Sequence, residues 1–284
     1  MKTFSYCSGY KFIIPHIRVS YGAWQVHPDE TRYCQPSFVP SEYWKDLPEE
    51  QIAVTNINSF KKSQVFMVFP LSEAIYNAFN EIRMSAKVNN NTYWDILQWR
   101  NTPHAKSAAG ALHDLAKAFC FSSDAKIQSI GVNIYDRELP TITTDPGLNK
   151  RLGLHTDIFD TQQGIPSPTD YSRVLFNLGD HDHWFSYIDM SIREIEDWYK
   201  QQNTKINYPS SHDCAMHLLH THTDIPIYAF RVRPGEAYIA PTENCIHDGV
   251  IMDDKGGWIV NLAIRGKFNI NSILSALKNH EIIA

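Results

Sequence analysis

The sequence predicts a mainly β domain with flanking helices, an α+β arrangement in a single unit of 284 residues. From about Lys126 onward the chain is a succession of short apolar runs broken by turn residues. Ahead of this half lie three segments with helical signals, and no repeat, low-complexity tract or linker divides the chain. Residues 1–125 therefore read as N-terminal strands with supporting helices, and residues 126–268 as the sheet core.

Residues 1–70 are rich in aromatics, Pro and polar side chains, and "KFIIPHIRVS" and "SQVFMVFP" are extended stretches without helical period. Helices are expected from Ser72 to about Arg83, from about Thr92 to Trp99, and from Thr102 to about Phe119. The last opens with a Thr N-cap and Pro103 at the first helical position, where a missing N–H costs nothing. Strands follow in "IQSIGVNIY", "LGLHTDIF", "YSRVLFNLG", "IPIYAFRV", "EAYIAP" and "GWIVNLAIRGKF". One helix interrupts them: "SIREIEDWYKQ" begins with Ser191 and carries Glu194 three positions on, the spacing of a capping box. "NSILSALKNHE" reads as a short closing helix.

Composition excludes several classes of function. Hydrophobic residues make up 43% and aromatics 12%, enough for a sizeable core, while 20% charged residues argue against disorder. A net charge of −5 with no Lys/Arg run predicts no nucleic-acid partner. Five scattered cysteines without a CxxC pair argue against a disulfide framework or a thiolate zinc site, and predict reduced thiols in the cytoplasm. The N-terminus lacks the apolar region of a secretory signal, and no run of 18 apolar residues occurs, so no membrane partner is expected.

The stretch "GLHTDIF", residues 153–159, holds the residues of most chemical interest. Read as a strand, it places Gly153, His155 and Asp157 on one face and Leu154, Thr156 and Ile158 on the other. Other pairs have a metal-binding look: His181 with His183, His217 with His220, and His222 with Asp224. They lie in polar, turn-like surroundings, and only 25 residues separate His222 from His247, which leaves little room for intervening strands. A second imidazole for His155 and Asp157 is offered by His247, some 90 residues downstream in "PGEAYIAPTENCIHDGV". In "GWIVNLAIRGKF", Trp258, Val260, Leu262 and Ile264 share one face, and Ile259, Asn261, Ala263 and Arg265 the other. A guanidinium on so apolar a strand needs an anion, and its planar fork suits a carboxylate. Asn133 with Tyr135, and Arg173 with Asn177, mark polar faces on two more strands, which suggests a lined pocket. The plain alternatives are a hydrogen-bonded His155–Asp157 pair in a core, an ion pair between Arg265 and a neighbouring Asp or Glu, and ordinary packing for Asn133 and Tyr135. Trp24, Tyr33 and Trp44 are further candidates for lining a substrate pocket, with core packing as their default.

His155, Asp157, His247 and Arg265 stand in the order H-x-D, distal His, Arg, and over roughly residues 127–268 the chain resembles the iron(II)- and 2-oxoglutarate-dependent oxygenases. The run "NIYDRELP" followed by "GLHTDIF" is similar to a stretch of the plant and microbial members, with Tyr135 at the place of their tyrosine near the co-substrate. Lys267 stands where the plant-type members have Ser, and the gap from His247 to Arg265 is longer than theirs. The resemblance implies a double-stranded β-helix, or jelly roll, with helices outside it. It implies Fe(II) held by His155, Asp157 and His247, with 2-oxoglutarate as co-substrate, O2 as oxidant, and Arg265 on the distal carboxylate. Tyr135, Asn133, Asn177 and Arg173 are the further residues expected around the co-substrate. The implied reaction is hydroxylation of an unactivated C–H bond in a small molecule such as an amino acid or natural-product intermediate. Desaturation or ring closure by the same chemistry, and a cupin-like metal-binding protein that is not an oxygenase, are the alternatives.

Overall fold

A computed structural model of the chain describes residues 16–48, 66–73, 75–77, 102–120, 126–145, 147–157, 171–202, 208, 210–252 and 258–279, with short strands at 2–4 and 52–54. Two five-stranded sheets dominate it. The first has the order β7 (Met67–Pro70), β14 (Glu236–Ala240), β11 (Ser172–Asn177), β16 (Trp258–Gly266), β8 (Ile127–Asp136). The second has the order β15 (Cys245–Val250), β12 (His183–Ser191), β13 (Pro226–Val232), β2 (Ile17–Tyr21), β5 (Trp44–Asp46). All pairings within these two sheets are antiparallel. Smaller pairs are β3 (Ala23–Gln25) with β4 (Phe38–Pro40), β9 (Thr144–Asp145) with β10 (Lys150–Arg151), and the parallel β1 (Lys2–Phe4) with β6 (Ile52–Val54).

Strict alternation along the first sheet separates two cores. Val174 and Phe176 of β11, Ala237 and Ile239 of β14, and Leu262 and Ile264 of β16 point outward onto helices α1 (Pro103–Ala118) and α4 (Ile270–Asn279). Leu175, Tyr238, Ala240 and Ala263 point inward, where they meet Phe185 and Tyr187 of β12 and Phe230 of β13. The Phe185 ring lies 4.7 Å from that of Tyr238, so the two sheets face each other as a sandwich. Burying a side chain such as Phe176 contributes roughly 1.5–3 kcal/mol relative to leaving it in water. Its period of two commits the whole strand to one register, because a slip by one residue would exchange the two faces.

The second sheet is backed by α2 (Ile192–Gln201) and α3 (Ser211–Thr221) over a third core that includes Ile188, Ile195, Leu218, Ile227 and Ile246. The capping box is formed: Ser191 Oγ accepts from Glu194 N at 3.2 Å, and Ser191 N donates to Glu194 Oε2 at 2.8 Å. α1 starts at Pro103, directly after Thr102, and α4 is capped by Asn269 Oδ1, which accepts from Asn271 N and Ser272 N. Residues 73 and 75–77 are helical behind Ser72, whose Oγ accepts from Ile75 N; the rest of that helix and the one from about Thr92 to Trp99 lie outside the described residues.

Two expectations need correction. His217 and His220, read from sequence in polar, turn-like surroundings, lie on helix α3, because Cys214, Ala215, Leu218 and Leu219 supply a helical apolar stripe and Ser210 caps Asp213 N at 3.1 Å. The stretch around His155 is no regular strand: His155 makes an isolated bridge to His247 and the chain leaves the ladder on either side of it. Cys34, Cys120, Cys214 and Cys245 are free thiols, and among the described residues no helix is long and apolar enough to cross a membrane.

Candidate metal centre

β15 forms an edge of the second sheet, and residues 153–157 run alongside it. His155 N donates to His247 O at 3.0 Å and His247 N to His155 O at 2.8 Å, a reciprocal antiparallel pair that puts both imidazoles on one side. On the far edge Leu154 N donates to Phe38 O of β4 at 2.7 Å, and below it Asp157 N donates to Thr242 O at 3.2 Å. Gly153 has φ +70°, and a Cβ there would collide with the Phe38 carbonyl, so the turn into this segment demands glycine.

The ring orientations follow from the backbone. His155 Nδ1 lies 2.7 Å from Gly153 O and His247 Nδ1 lies 3.2 Å from Cys245 O, each a carbonyl two residues upstream. A carbonyl can only accept, so both rings carry their proton on Nδ1 and present a bare Nε2 lone pair. Both Nε2 atoms lie 3.7 Å from Asp157 Oδ1, and the ligating atoms of His155, Asp157 and His247 all fall within 4.8 Å of one another. His155 Nε2 is buried and makes no hydrogen bond, a cost that a bound cation would remove. Two neutral imidazoles and one carboxylate on one side of the cation are the donor set of a 2-His-1-carboxylate iron(II) site, so these residues fit the metal the sequence implies. Among the described residues this is the one group of three or more metal-capable side chains that converges.

Electrostatics hold the carboxylate ionised. Burial alone would raise the Asp157 pKa, but the charge of Arg173, with Nη2 2.8 Å from Asp157 Oδ2, and the two imidazoles outweigh it and keep the group well below the usual carboxylate range. Burial, the His155 ring and Arg173 push His247 down to about 3, whereas at His155 the pull of Asp157 and the charge of Asp248 overcome burial and raise the pKa.

The other expected residues are distributed along the inner face of the first sheet. Arg173 and Arg265 are directly paired across β11 and β16. Arg265, however, is held by Glu243: its Nε and Nη2 both contact Glu243 Oε1, and its guanidinium lies 4.0 Å from the Tyr171 ring centroid. This is the ion pair that the sequence offers as the alternative reading of Arg265. Asn133, Asn261 and Asn177 occupy one rung across β8, β16 and β11. Asn177 is fully buried and donates to His181 O at 2.9 Å and Val232 O at 3.0 Å, so its amide is spent on the backbone. Asn133 Nδ2 reaches Asn261 Oδ1 at 3.4 Å. Tyr135 feels the charges of Arg173 and Asp157, and burial pushes its phenol up to about 12.

Glu243 and Tyr171 were not singled out from sequence. The available signal for Glu243 was a single acid between the apolar "YIAP" and the candidate ligand His247. Tyr33 packs in a small core and bonds Thr141 at 3.0 Å, Trp44 on edge strand β5 packs against Trp184, Ala229 and Val250, and Trp24 is 52% exposed, so none of the three is brought to the centre. His183 is buried in β12, and His217 and His222 pack with Tyr199 beside α2.

No protein-family model matches the sequence, and no curated protein matches it. Similar solved structures include HygX from Streptomyces hygroscopicus with nickel and 2-oxoglutarate bound, at 10% identity over 73% of this chain and 84% of that one, with a TM-score of 0.40. The Kdo hydroxylase KdoO, a non-heme Fe(II) alphaketoglutarate dependent dioxygenase, is similar at 17% identity over 76% and 83%, with a TM-score of 0.39. SnoK, a non-heme alpha ketoglutarate dependent carbocyclase from nogalamycin biosynthesis, is similar at 15% identity over 73% and 81%, with a TM-score of 0.38.

Proposed function

We propose that the chain is an iron(II)- and 2-oxoglutarate-dependent dioxygenase with a double-stranded β-helix core, hydroxylating an unactivated C–H bond of a small molecule such as an amino acid or natural-product intermediate. The observation that carries this reading is the convergence of His155 Nε2, His247 Nε2 and Asp157 Oδ1, with both imidazole tautomers set by backbone carbonyls. The topology supports the jelly roll. Numbered in chain order, β8, the segment at 153–157, β11, β12, β13, β14, β15 and β16 alternate so that the first, eighth, third and sixth share one sheet and the second, seventh, fourth and fifth the other.

Iron(II) in this site, with 2-oxoglutarate and O2, supplies oxidation of a C–H bond coupled to decarboxylation of the oxo acid to succinate. The chain's own residues bind and orient. His155, Asp157 and His247 would hold the metal through two imidazole nitrogens and one carboxylate oxygen. Asp157 Oδ2, taken by Arg173, leaves Oδ1 as the ligating oxygen. Arg173 and Tyr135 are the groups available to the oxo acid, Arg265 being held by Glu243, while Asn133 and Asn177 stiffen the inner face. The Phe185 ring, stacked 5.3 Å from His247, lines the centre with apolar surface and keeps water from it. Free thiols support a reducing compartment such as the cytoplasm.

The test is anaerobic addition of Fe(II) and 2-oxoglutarate, read by the weak visible metal-to-ligand charge-transfer band, followed by 2-oxoglutarate-dependent succinate release in air. Band and succinate are expected from the natural chain and neither from Asp157→Ala. Iron binding with no band and no succinate overturns the oxygenase reading and leaves a metal-binding barrel of another kind.

A further inference from the structure

Arg173 and Arg265 are neighbours on one inner face, yet their surroundings differ. Arg265 has its hydrogen-bonding groups engaged: Nε and Nη2 on Glu243, and Nη1 3.5 Å from Gln128 Oε1. Tyr171 covers its face. The Glu243 side chain is only 4% exposed, so an incoming carboxylate that took Arg265 would leave a buried carboxylate unpaired. Arg173 is in the reverse position. Its side chain, 19% exposed against 35% for Arg265, touches Asp157 with one nitrogen, and its Nε is buried with no hydrogen bond. Its charge reaches Tyr135, Tyr238 and the donor residue His247.

Resting on the function proposed above, we infer that Arg173 is the cation that receives a carboxylate of the oxo acid, and that Arg265 is a positioning residue that steadies the metal ligands through Glu243. Charge supports this division. Arg265 and Glu243 cancel, whereas iron(II), Asp157 and Arg173 together leave two positive charges, which a dicarboxylate neutralises. The route from Arg265 to the ligands is short. Glu243 follows Thr242, whose carbonyl accepts from Asp157 N at 3.2 Å. The same turn, closed by Asn244 N on Pro241 O at 2.8 Å, runs into Cys245, whose carbonyl fixes the His247 ring. The Arg265–Glu243 clamp thus holds the turn that seats two of the three ligands.

Anaerobic calorimetry on the full chain separates the roles by measuring Fe(II) affinity first and then 2-oxoglutarate affinity of the iron-saturated protein. Arg173→Gln is expected to weaken 2-oxoglutarate binding at least about tenfold, the value of hydrogen bonds to a charged group, with iron affinity changed by less than that, because losing a like charge offsets losing the ion pair that orients Asp157. Arg173→Lys, which keeps the charge without the fork, recovers part of the loss. Arg265→Gln and Glu243→Gln are expected to weaken iron binding about 10- to 100-fold while leaving 2-oxoglutarate affinity of the saturated protein unchanged. Loss of 2-oxoglutarate binding in Arg265→Gln with retention in Arg173→Gln overturns the inference, as does tighter 2-oxoglutarate binding in Glu243→Gln, where Arg265 would have been released. Absence of 2-oxoglutarate binding by the natural chain instead strikes at the proposed function. Unfolding midpoints of the four variants distinguish a local effect from a failure to fold.

Discussion

Arg173 Nη2 lies 2.8 Å from Asp157 Oδ2, while Asp157 Oδ1 lies 3.7 Å from the Nε2 atoms of both His155 and His247. One carboxylate thus faces a permanent cation with one oxygen and two imidazole Nε2 atoms with the other. The ion pair fixes the carboxylate plane before any metal arrives, which lowers the ordering cost of binding.

Replacing Asp157 by Ala removes the anionic ligand and leaves Arg173 without its partner. Fe(II) affinity is expected to fall by more than the 10- to 100-fold typical of losing a supporting contact. The metal-free protein is expected to lose up to about 3 kcal/mol, because the remaining guanidinium is largely buried. Metal analysis after anaerobic loading and chemical denaturation of the apo protein check the two effects separately.

Gly153→Ala tests the backbone that aims His155. The left-handed φ of +70° costs an L-residue roughly 1–2 kcal/mol, and the collision with Phe38 O adds to it. Because Gly153 O holds the His155 Nδ1 proton, iron affinity is expected to fall about tenfold or more along with the unfolding midpoint. Unaltered iron binding in a destabilised variant would detach the carbonyl from the metal site.

His183 supplies a pH dependence away from the ligands. It is buried in β12, stacked 5.7 Å from Tyr238, neither ring nitrogen has a hydrogen bond, and burial lowers its pKa from 6.5 to about 4. Between these two values the unfolded chain binds the proton and the folded chain does not, so stability from this group is present above pH 6.5 and is lost as pH falls toward 4. The expected loss between pH 7.5 and pH 5 is about 2 kcal/mol. In His183→Leu the denaturation midpoint should fall less steeply over that window, whatever the variant's stability at neutral pH; equal slopes would refute the assignment.

Leu218→Ala tests the helix that the sequence reading missed. Leu218 is fully buried between α3 and the second sheet, and its truncation is expected to cost about 2–5 kcal/mol. Equilibrium denaturation reads this directly. A cost under about 0.5 kcal/mol, typical of surface positions, would mean that α3 is not docked as described.

Much of the architecture was legible because it depends on local periodicity. Val174 and Phe176 against Leu175, and Val260, Leu262 and Ile264 against Asn261, Ala263 and Arg265, assign inner and outer faces by a period of two that needs no partner strand. Ser191 with Glu194 marks a helix start for the same reason, since a cap is completed within one turn. α3 was hidden by its histidines, although Cys214, Ala215, Leu218 and Leu219 carried the helical stripe.

By itself the sequence determined which residues share a strand face and which donor types are present: His155, Asp157, His247 and the arginines Arg173 and Arg265. Tertiary structure alone decided how they are used. It made His155 a single bridge to His247 in place of a strand residue, and it gave Asp157 to Arg173 and Glu243 to Arg265. The reason is physical: a pattern along one strand fixes the direction of a side chain, but the partner of a buried charge is chosen by which turns and strands fold against it, and residues 157 and 243 reach their arginines only once both sheets are closed.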